Sequence, residues 1–397
     1  MKLLFYFGHP AHFHLFKNVV ENLKKRRHSI NILIKKKDIL ENLLTSSNYN
    51  FINILPDGRK DGKFGIALGL IKRCLKMLLF CLKDSPHLLI GTSVEMPYVG
   101  KLLGIPSINV NEDDADVVPL YSKLAYPLTS EILTPETCNN GKWEKKSIKY
   151  AGYHELSYLH PDVFKPDISI VQSYFQTDSP YFIIRFAKLT AHHDGGIHGI
   201  DEEIAKKIIK ILEAHGRVFI TSERELEPQF EKYRIMINPL DIHHAMYFAT
   251  MFIGDSQTMA AEAGVLGTPF IRYNDFVGRI GYLKEIEEKY EMGYGIKPNE
   301  PEILYKKVRE LLDTPNLKEV WFKKREKMLS EKIDVTAFMV WFIENYPDSA
   351  KIMKENPDYQ LRFKSTDYAN YADKKNVVKR MLVWKTEFRS QNPESRR

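Results

Sequence analysis

Short apolar segments alternate with amphipathic segments along most of the chain. Lys2–Gly8 is an apolar run of strand length, Leu15–Lys25 has the apolar spacing of a helix, and Ser29–Ile34 is strand-like again. A strand, a helix and a second strand in this order form a parallel pair, because the helix returns the chain to the edge where the next strand starts. The pattern predicts an α/β protein with doubly wound parallel sheets.

The alternation falls into two blocks and a tail. The first block, residues 1–165, predicts a Rossmann-like domain, and a stretch rich in Pro and Asp, His160–Asp167, then resembles a linker. The pattern restarts at Tyr181–Phe186, so residues 166–346 predict a second Rossmann-like domain. Residues 347–397 have no strand pattern and are rich in Lys, Arg, Asp and Tyr, which predicts a basic extension that is helical or partly ordered. The length of 397 residues agrees with two domains.

The composition and net charge indicate which classes of ligand and partner the chain is expected to bind. The chain is 44% hydrophobic and 27% charged, with a formal net charge of +7 and a pI near 8.9. This excess suits anionic ligands such as nucleoside diphosphates, or an acidic membrane face. Nucleic-acid binding is not predicted, because the sequence has no basic stripe with interleaved aromatic residues.

The three cysteines, Cys74, Cys81 and Cys138, lack the spacing of a zinc site, and we predict neither a metal nor a cofactor. Their odd number and the absence of a signal-like start favour a cytoplasmic protein. The longest apolar run, near Phe64–Leu82, contains three cations and does not predict a membrane span. It predicts either an amphipathic helix packed on the core or one that rests on an anionic membrane.

Histidines cluster in the loop after the first predicted strand, Gly8-His9-Pro10-Ala11-His12-Phe13-His14. In a parallel sheet, ligands bind outside the carboxyl ends of the strands, where this loop must lie. His12, at the turn into the helix, is the first candidate for a general base, and His9 is the second. The alternative is that these histidines cap the helix or pack beneath it.

Acidic residues follow a later strand of the same domain, in the run Glu112-Asp113-Asp114 with Asp116. Repulsion among neighbouring carboxylates raises the pKa of one of them toward that of a general base, which makes Glu112 and Asp113 catalytic candidates. An exposed charged loop is the alternative.

The second block contains the most informative segment, Gly254-Asp255-Ser256-Gln257-Thr258-Met259-Ala260-Ala261-Glu262. The pattern predicts a strand that turns at Gly254 into a helix, with the hydroxyls of Ser256 and Thr258 beside the unpaired N–H groups of the first turn. Such a turn can hold a phosphate. Glu262 lies one helical turn beyond Thr258 and could accept hydrogen bonds from both hydroxyls of a ribose. An ordinary capped helix is the alternative.

Two other segments offer further ligand contacts. Arg185, at the end of the first strand of this block, could neutralise a phosphate, and Gly195 in the run His192-His193-Asp194-Gly195-Gly196 would allow its close approach. Met259 lies in the turn itself.

The run from Pro239 to Pro269 resembles the nucleotide-binding half of GT-B sugar-nucleotide enzymes. It carries Pro239-Leu240-Asp241, Gly254-Asp255-Ser256, Glu262 and Leu266-Gly267-Thr268-Pro269 in register with the non-hydrolysing UDP-N-acetylglucosamine 2-epimerases. The peptidoglycan N-acetylglucosaminyltransferase has an equivalent turn with a ribose-binding Glu. The His9–His12 and Arg185–Gly195 segments also resemble an uncharacterised prokaryotic GT-B-like family.

The resemblance implies a GT-B fold, with two Rossmann-like domains facing across a cleft. It implies that Ser256 and Thr258 hold phosphates, that Glu262 holds the ribose, and that the loop near His243 holds the base. The chain departs from the epimerases in the first domain, where Gly91-Thr92-Ser93 lacks their Asp and Asn109–Asp113 lacks or shifts their Glu. Those acids move protons in epimerisation.

Three functions therefore stay open. The first is a glycosyltransferase that moves a sugar from a nucleotide-sugar, with UDP as the expected nucleotide, to a saccharide or lipid-linked acceptor in envelope or polysaccharide synthesis. The others are an isomerase of the UDP-N-acetylglucosamine 2-epimerase type and a catalytically silent nucleotide-sugar-binding protein.

Overall fold

A computed structural model describes residues 1–56, 63–175, 179–187 and 198–364, apart from the side chains of residues 63, 64 and 66. Within these ranges the strands form two sheets, one of seven strands and one of five, and the neighbouring strands pair in parallel. The predicted α/β architecture with doubly wound parallel sheets is confirmed. Two compact units contain one sheet each.

The first unit comprises Met1–Phe164, Arg279–Tyr282 and Lys332–Phe363. Its strand order is β3-β2-β1-β4-β5-β6-β7. The strands are β1 Lys2–Phe7, β2 Ser29–Lys35, β3 Ile52–Leu55, β4 Leu88–Gly91, β5 Ser107–Val110, β6 Glu131–Pro135 and β7 Ser147–Tyr150. The α-helices are α1 Pro10–Lys25, α2 Leu40–Ser46, α3 Lys63–Asp84, α4 Glu95–Leu103, α5 Pro119–Ala125, α6 Leu156–Leu159, α14 Val335–Glu344 and α15 Asp348–Glu355.

Helices cover both faces of the first sheet, as the alternation of side chains along β1 illustrates. Leu4 and Tyr6 pack in one cluster with Met77 of α3 and Met96 of α4. Phe5 and Phe7 point to the opposite face, where both rings contact Phe16 of α1. A strand buried on both faces needs an unbroken apolar sequence, which explains the run at the start of the chain.

The chain returns to the first unit after residue 331. Ile333 N–H donates to the carbonyl of Ala151 (2.9 Å), and the Thr336 hydroxyl donates to that of Ser157 (2.6 Å). The ring of Phe338 packs beside Tyr150. The predicted boundaries grouped residues 332–346 with the second domain and set 347–397 apart. A helical pattern identifies an apolar face but not the core that it covers.

The second unit contains Lys165–Gly278 and Leu283–Glu331, with the strand order β12-β11-β10-β8-β9. Its strands are β8 Tyr181–Phe186, β9 Arg217–Ser222, β10 Met251–Gly254, β11 Phe270–Tyr273 and β12 Gly293–Ile296. Its helices are α7 Ile168–Phe175, α8 Glu202–Glu213, α9 Ile242–Phe248, α10 Gln257–Leu266, α12 Pro301–Leu312 and α13 Leu317–Glu331, and α11 Gly281–Lys284 leads into it. Residues 365–397, the larger part of the predicted extension, lie outside the described residues.

Both sheets reverse the direction of winding once. The first sheet grows from β1 toward β3 and then from β4 toward β7, so its reversal lies between β1 and β4. In the second sheet it lies between β8 and β10. Helices on either side of such a reversal diverge and leave a crevice at the carboxyl ends of the two strands, where ligands of this fold class bind.

Gly91 ends β4 at the first reversal, and Gly91→Ala is expected to lower the free energy of unfolding by about 3 kcal/mol. Gly91 has φ +149°, and a Cβ there would lie 2.5 Å from the carbonyl oxygen of Tyr6. Gly104→Ala is the matched control, because Gly104 also has positive φ (+70°) but no atom within 4 Å of the added Cβ. It should cost only about 1 kcal/mol. Urea titrations of both variants measure the difference, and equal losses would contradict the proposed clash.

Candidate functional site

The turn after β10 lies at the reversal of the second sheet. Gly254 pairs with Arg185 of β8, and a Cβ on Gly254 would lie 2.8 Å from Arg185 Cβ and 3.0 Å from its carbonyl oxygen. Strand packing therefore requires a glycine here, and the predicted part of Gly254 in nucleotide-sugar binding stays a prediction. The neighbouring strand occupies the space beside Gly254.

The side chain of Asp255 fixes this turn through hydrogen bonds to the backbone of other segments. Its buried carboxylate accepts hydrogen bonds from Ala187 N–H (2.6 Å) and Ile200 N–H (3.4 Å). Asn274 donates to the Asp255 carbonyl (2.9 Å). Burial raises the pKa of Asp255 to about 6, although the hydrogen bonds from Ala187 and Ile200 to its carboxylate oppose the shift. Asp255 thus joins the segments after β8 to the turn after β10.

Helix α10 begins at this turn with partly exposed residues. Ser256 is the N-cap, and its hydroxyl accepts a long hydrogen bond from Met259 N–H (3.4 Å). Thr258 and Met259 are partly exposed, whereas every residue from Ala260 to Leu266 is buried. The first turn of a helix presents N–H groups without intrahelical acceptors, and the helix dipole adds a positive field. The predicted anion-binding end of α10 is therefore accessible within its own unit.

Glu262 and His243 meet in the interior of the same unit. Glu262 lies one turn into α10, and its Oε1 is 2.9 Å from Nε2 of His243 on α9. Both residues are at least 95% buried. The structure therefore brings together the residues expected to contact the ribose and the base.

Arg185 is already engaged at its own strand end. Its guanidinium donates to the hydroxyl of Thr221 (3.1 Å) and to the carboxylate of Glu223. A phosphate would have to compete with Glu223 for this cation. Gly195 and the remainder of His192–Gly196 lie outside the described residues.

The first-unit histidine loop lies at the reversal beside β1. His9 is exposed and is the N-cap of α1, because its Nδ1 accepts from Ala11 N–H (3.2 Å). His12 Nδ1 accepts from Gly8 N–H (3.1 Å). Burial, together with the charges of His9, His154 and Lys35, lowers the pKa of His12 well below its usual value. A neutral His12 in this contact carries its proton on Nε2 and donates from there, and its role as a general base stays a prediction.

His154, which the sequence analysis missed, links this loop to the predicted acidic residues. It follows β7, and its Nδ1 lies 3.2 Å from Oε2 of Glu112, the first residue of the acidic run after β5. Asp113 is close enough to oppose the fall in the pKa of His154, which burial lowers to about 3. His154 Nε2 is buried and has no hydrogen-bond partner in the described part of the chain. Its position just after a strand of a parallel sheet was the signal that could have identified it.

The residues of the acidic run have two different environments. Asp114 is buried and accepts from the backbone N–H of Asn139 and of Gly281, both within the first unit, so it fixes loops. Glu112 and Asp113 are partly exposed beside His154. In the described residues no cluster of three His, Cys, Asp or Glu side chains has the arrangement of a metal site.

Acid is expected to destabilise the first unit through His154. The unfolded chain binds a proton on this imidazole below a pKa of about 6.5, whereas the folded chain does so only near pH 3. The free energy of unfolding is therefore expected to decrease as the pH falls below about 6.5, by about 1.4 kcal/mol per pH unit for His154 alone. Unfolding titrations from pH 7 to pH 4 should show a shallower slope for His154→Gln than for the wild type. His87→Gln, at an exposed position of the same unit, should keep the wild-type slope, and parallel slopes for all three proteins would contradict this account.

None of the helices in the described residues has both the length and the apolar character that a bilayer-spanning helix requires.

Several solved structures have a similar fold. The S. aureus MnaA–UDP co-structure is 13% identical and has a TM-score of 0.62, covering 88% of this chain and 97% of that one. The UDP-GlcNAc 2-epimerase from Neisseria meningitidis bound to UDP-GlcNAc is 15% identical with a TM-score of 0.62, covering 87% and 100%. The spinosyn rhamnosyltransferase SpnG, complexed with spinosyn aglycone, is 12% identical with a TM-score of 0.58, covering 87% and 100%.

At these identities the likeness establishes the fold, which is the GT-B fold of UDP-GlcNAc 2-epimerases and glycosyltransferases. A comparison with curated proteins returned no match. A family model matches residues 3–285, and the chain belongs to that family, DUF354, which is described as a protein of unknown function.

Proposed function

We propose that this protein is a glycosyltransferase that moves a sugar from a UDP-sugar to a saccharide or lipid-linked acceptor. The observation that carries the proposal is the accessible N-terminus of α10 at the reversal of the second sheet, with the Glu262–His243 pair one turn behind it. A nucleoside diphosphate needs an anion site and a nearby acceptor of ribose hydrogen bonds. This segment offers both.

In this proposal the second unit binds the donor. The backbone N–H groups of the first turn of α10 and the hydroxyls of Ser256 and Thr258 stabilise the diphosphate as it leaves. Glu262 binds the ribose hydroxyls, and His243 orients its carboxylate from the opposite side. The proposal requires no cofactor and no metal, because the positive N-terminus of α10 stabilises the negative charge that develops on the leaving diphosphate.

The first unit activates the acceptor. Neutral His154 accepts the proton of the attacking hydroxyl at Nε2 in the transition state, and Glu112 and Asp113 offset part of the burial that otherwise disfavours the charged imidazolium. His12 donates a hydrogen bond from Nε2, and the nearby Lys35 favours an anionic acceptor. His9 caps α1 and holds this loop in place.

A UDP-GlcNAc 2-epimerase activity is the second candidate, and several solved structures of such epimerases with the same fold favour it. The first unit argues against it. At the end of β4, where those enzymes are expected to carry an Asp, the hydroxyl of Thr92 donates to the carbonyl of Val110 and Ser93 accepts from Met96 N–H (3.1 Å). Ser93 thus supports the first turn of α4 and Thr92 bonds the neighbouring strand, and because neither hydroxyl ionises near neutral pH, neither can replace a carboxylate that moves protons in epimerisation.

Product analysis distinguishes the candidates. The protein is first screened by thermal shift against UDP, GDP, CMP and TDP sugars, and the best donor is then incubated with and without acceptor saccharides. Transfer predicts nucleotide release that depends on the acceptor. Inversion at C2 of the sugar without an acceptor would replace the proposal with epimerisation, and tight binding without turnover across acceptors would replace it with a silent binding protein.

A further inference from the structure

Helix α3 has two apolar faces, and only one of them is used by the core. Arg73, Met77 and Cys81 are buried against the first sheet. The outer face carries a second set of apolar residues that are each 54–66% exposed, namely Leu68, Ile71, Leu75, Leu79 and Leu82. Spacings of three and four residues align these five side chains in one stripe. Single exposed leucines are ordinary, but a continuous stripe marks a binding surface.

Neighbouring helices on the same side of the sheet extend the stripe. Helix α4 packs against both α3 and α5. It exposes Tyr98 and Leu102, the latter by 70%, and α5 exposes Leu120 by 65%. We refer to the exposed apolar residues of α3, α4 and α5 as the outer face. Exposed apolar residues therefore occur on three successive helices, of which α4 packs against the other two.

The helices that form the outer face carry exposed lysines and few acidic residues. The exposed lysines on these helices are Lys72, Lys76, Lys83, Lys101 and Lys123. None of them forms an ion pair with any other described residue. The only acidic residues in the three helices are Glu95, which is buried against Arg73, and Asp84, which ends α3 and contacts Asn31 and Lys2. The face therefore combines exposed leucines with uncompensated positive charge.

We propose that the outer face rests on an anionic lipid bilayer, with α3 lying in the plane of the interface. Leucine side chains enter the acyl boundary while lysines at their flank contact lipid phosphates, which is the composition of interfacial helices. A twofold dimer through α3 is disfavoured, because it would place lysine-rich surfaces against each other without acids to neutralise them. The inference does not depend on the proposed enzymatic activity, because binding is measured without nucleotide.

Vesicle co-sedimentation of the full chain tests the proposal. The wild type should bind vesicles of phosphatidylcholine and phosphatidylglycerol in equal amounts, should bind much less to pure phosphatidylcholine, and should dissociate at high salt. The double variant Leu75→Gln/Leu79→Gln and the triple variant Lys72→Gln/Lys76→Gln/Lys83→Gln should each weaken the partition by about tenfold or more. All five side chains are exposed, so the fold should be retained, and circular dichroism checks this.

Matched controls lie on the second unit. Met236→Gln/Ile303→Gln removes two exposed apolar residues, and Lys210→Gln/Lys306→Gln/Lys323→Gln removes the same charge as the triple variant. Both controls should bind as the wild type does. The proposal is overturned if the wild type ignores anionic vesicles, or if the controls and the outer-face variants weaken binding equally. It is also overturned if ultracentrifugation without lipid shows a dimer that Leu75→Gln/Leu79→Gln dissociates, because the face would then bind a second copy.

Discussion

The Glu262→Gln variant should bind its nucleotide at least tenfold more weakly than the wild type. Hydrogen bonds to a charged acceptor contribute about 1.5–3 kcal/mol, and a loss of about 1.4 kcal/mol already changes the dissociation constant tenfold. Glutamine keeps the shape of the side chain but removes the charge that the proposed ribose contact and the His243 contact share. Isothermal titration calorimetry with UDP measures the change directly.

Glu288→Gln is the control, since Glu288 is exposed on the same unit and far along the chain from α10. Its affinity for UDP should equal that of the wild type. Because Glu262 is buried, a thermal melt of each variant is needed alongside the titration. A Glu262→Gln protein that melts normally and binds UDP with wild-type affinity would remove the ribose assignment.

The second large effect is expected in turnover. His154→Gln should lower kcat at least 100-fold while the affinity for the nucleotide stays unchanged. A positioned general base contributes about 10²–10⁴-fold, and the proposed base lies in the first unit whereas the proposed nucleotide site lies in the second. Steady-state kinetics with the donor and acceptor found by screening give kcat, and calorimetry gives the affinity.

Two further variants separate chemistry from structure. Glu112→Gln should lower kcat by a smaller factor, since it acts by orienting His154 and stabilising its charged form, and it should also shift the acid limb of the pH–rate profile. His87→Gln, remote from the carboxyl ends of the strands, should leave kcat unchanged. If His154→Gln retains turnover within a few fold of the wild type, another group takes the proton and the assignment fails.

Local sequence determined the elements of this protein and the turns between them. Alternating apolar and amphipathic segments predicted both parallel sheets. A strand that is buried on both faces has a continuous apolar run, whereas a helix that is buried on one face has apolar residues every three or four positions. Ser256 and His9 cap their helices through contacts that span two or three residues. Such features depend on neighbours in the chain and can be predicted from it.

The candidate site was predicted only in part, because only some of its contacts are between residues that are close in the sequence. The segment around α10 could be found because its residues are consecutive. The contact of His154 with Glu112 joins the ends of β7 and β5, and that of His243 with Glu262 joins two helices. The role of Gly254 beside Arg185 likewise depends on which strand lies next to β10.

Tertiary structure alone decided three properties of the chain. It determined which core the helices after residue 331 cover, which of the two apolar faces of α3 is left exposed, and that burial lowers the pKa of His12. Each of these depends on residues that are distant in sequence and close in space. The sequence specifies the periodicity of a helix, but the arrangement of its neighbours determines which side is buried and which groups lose their water.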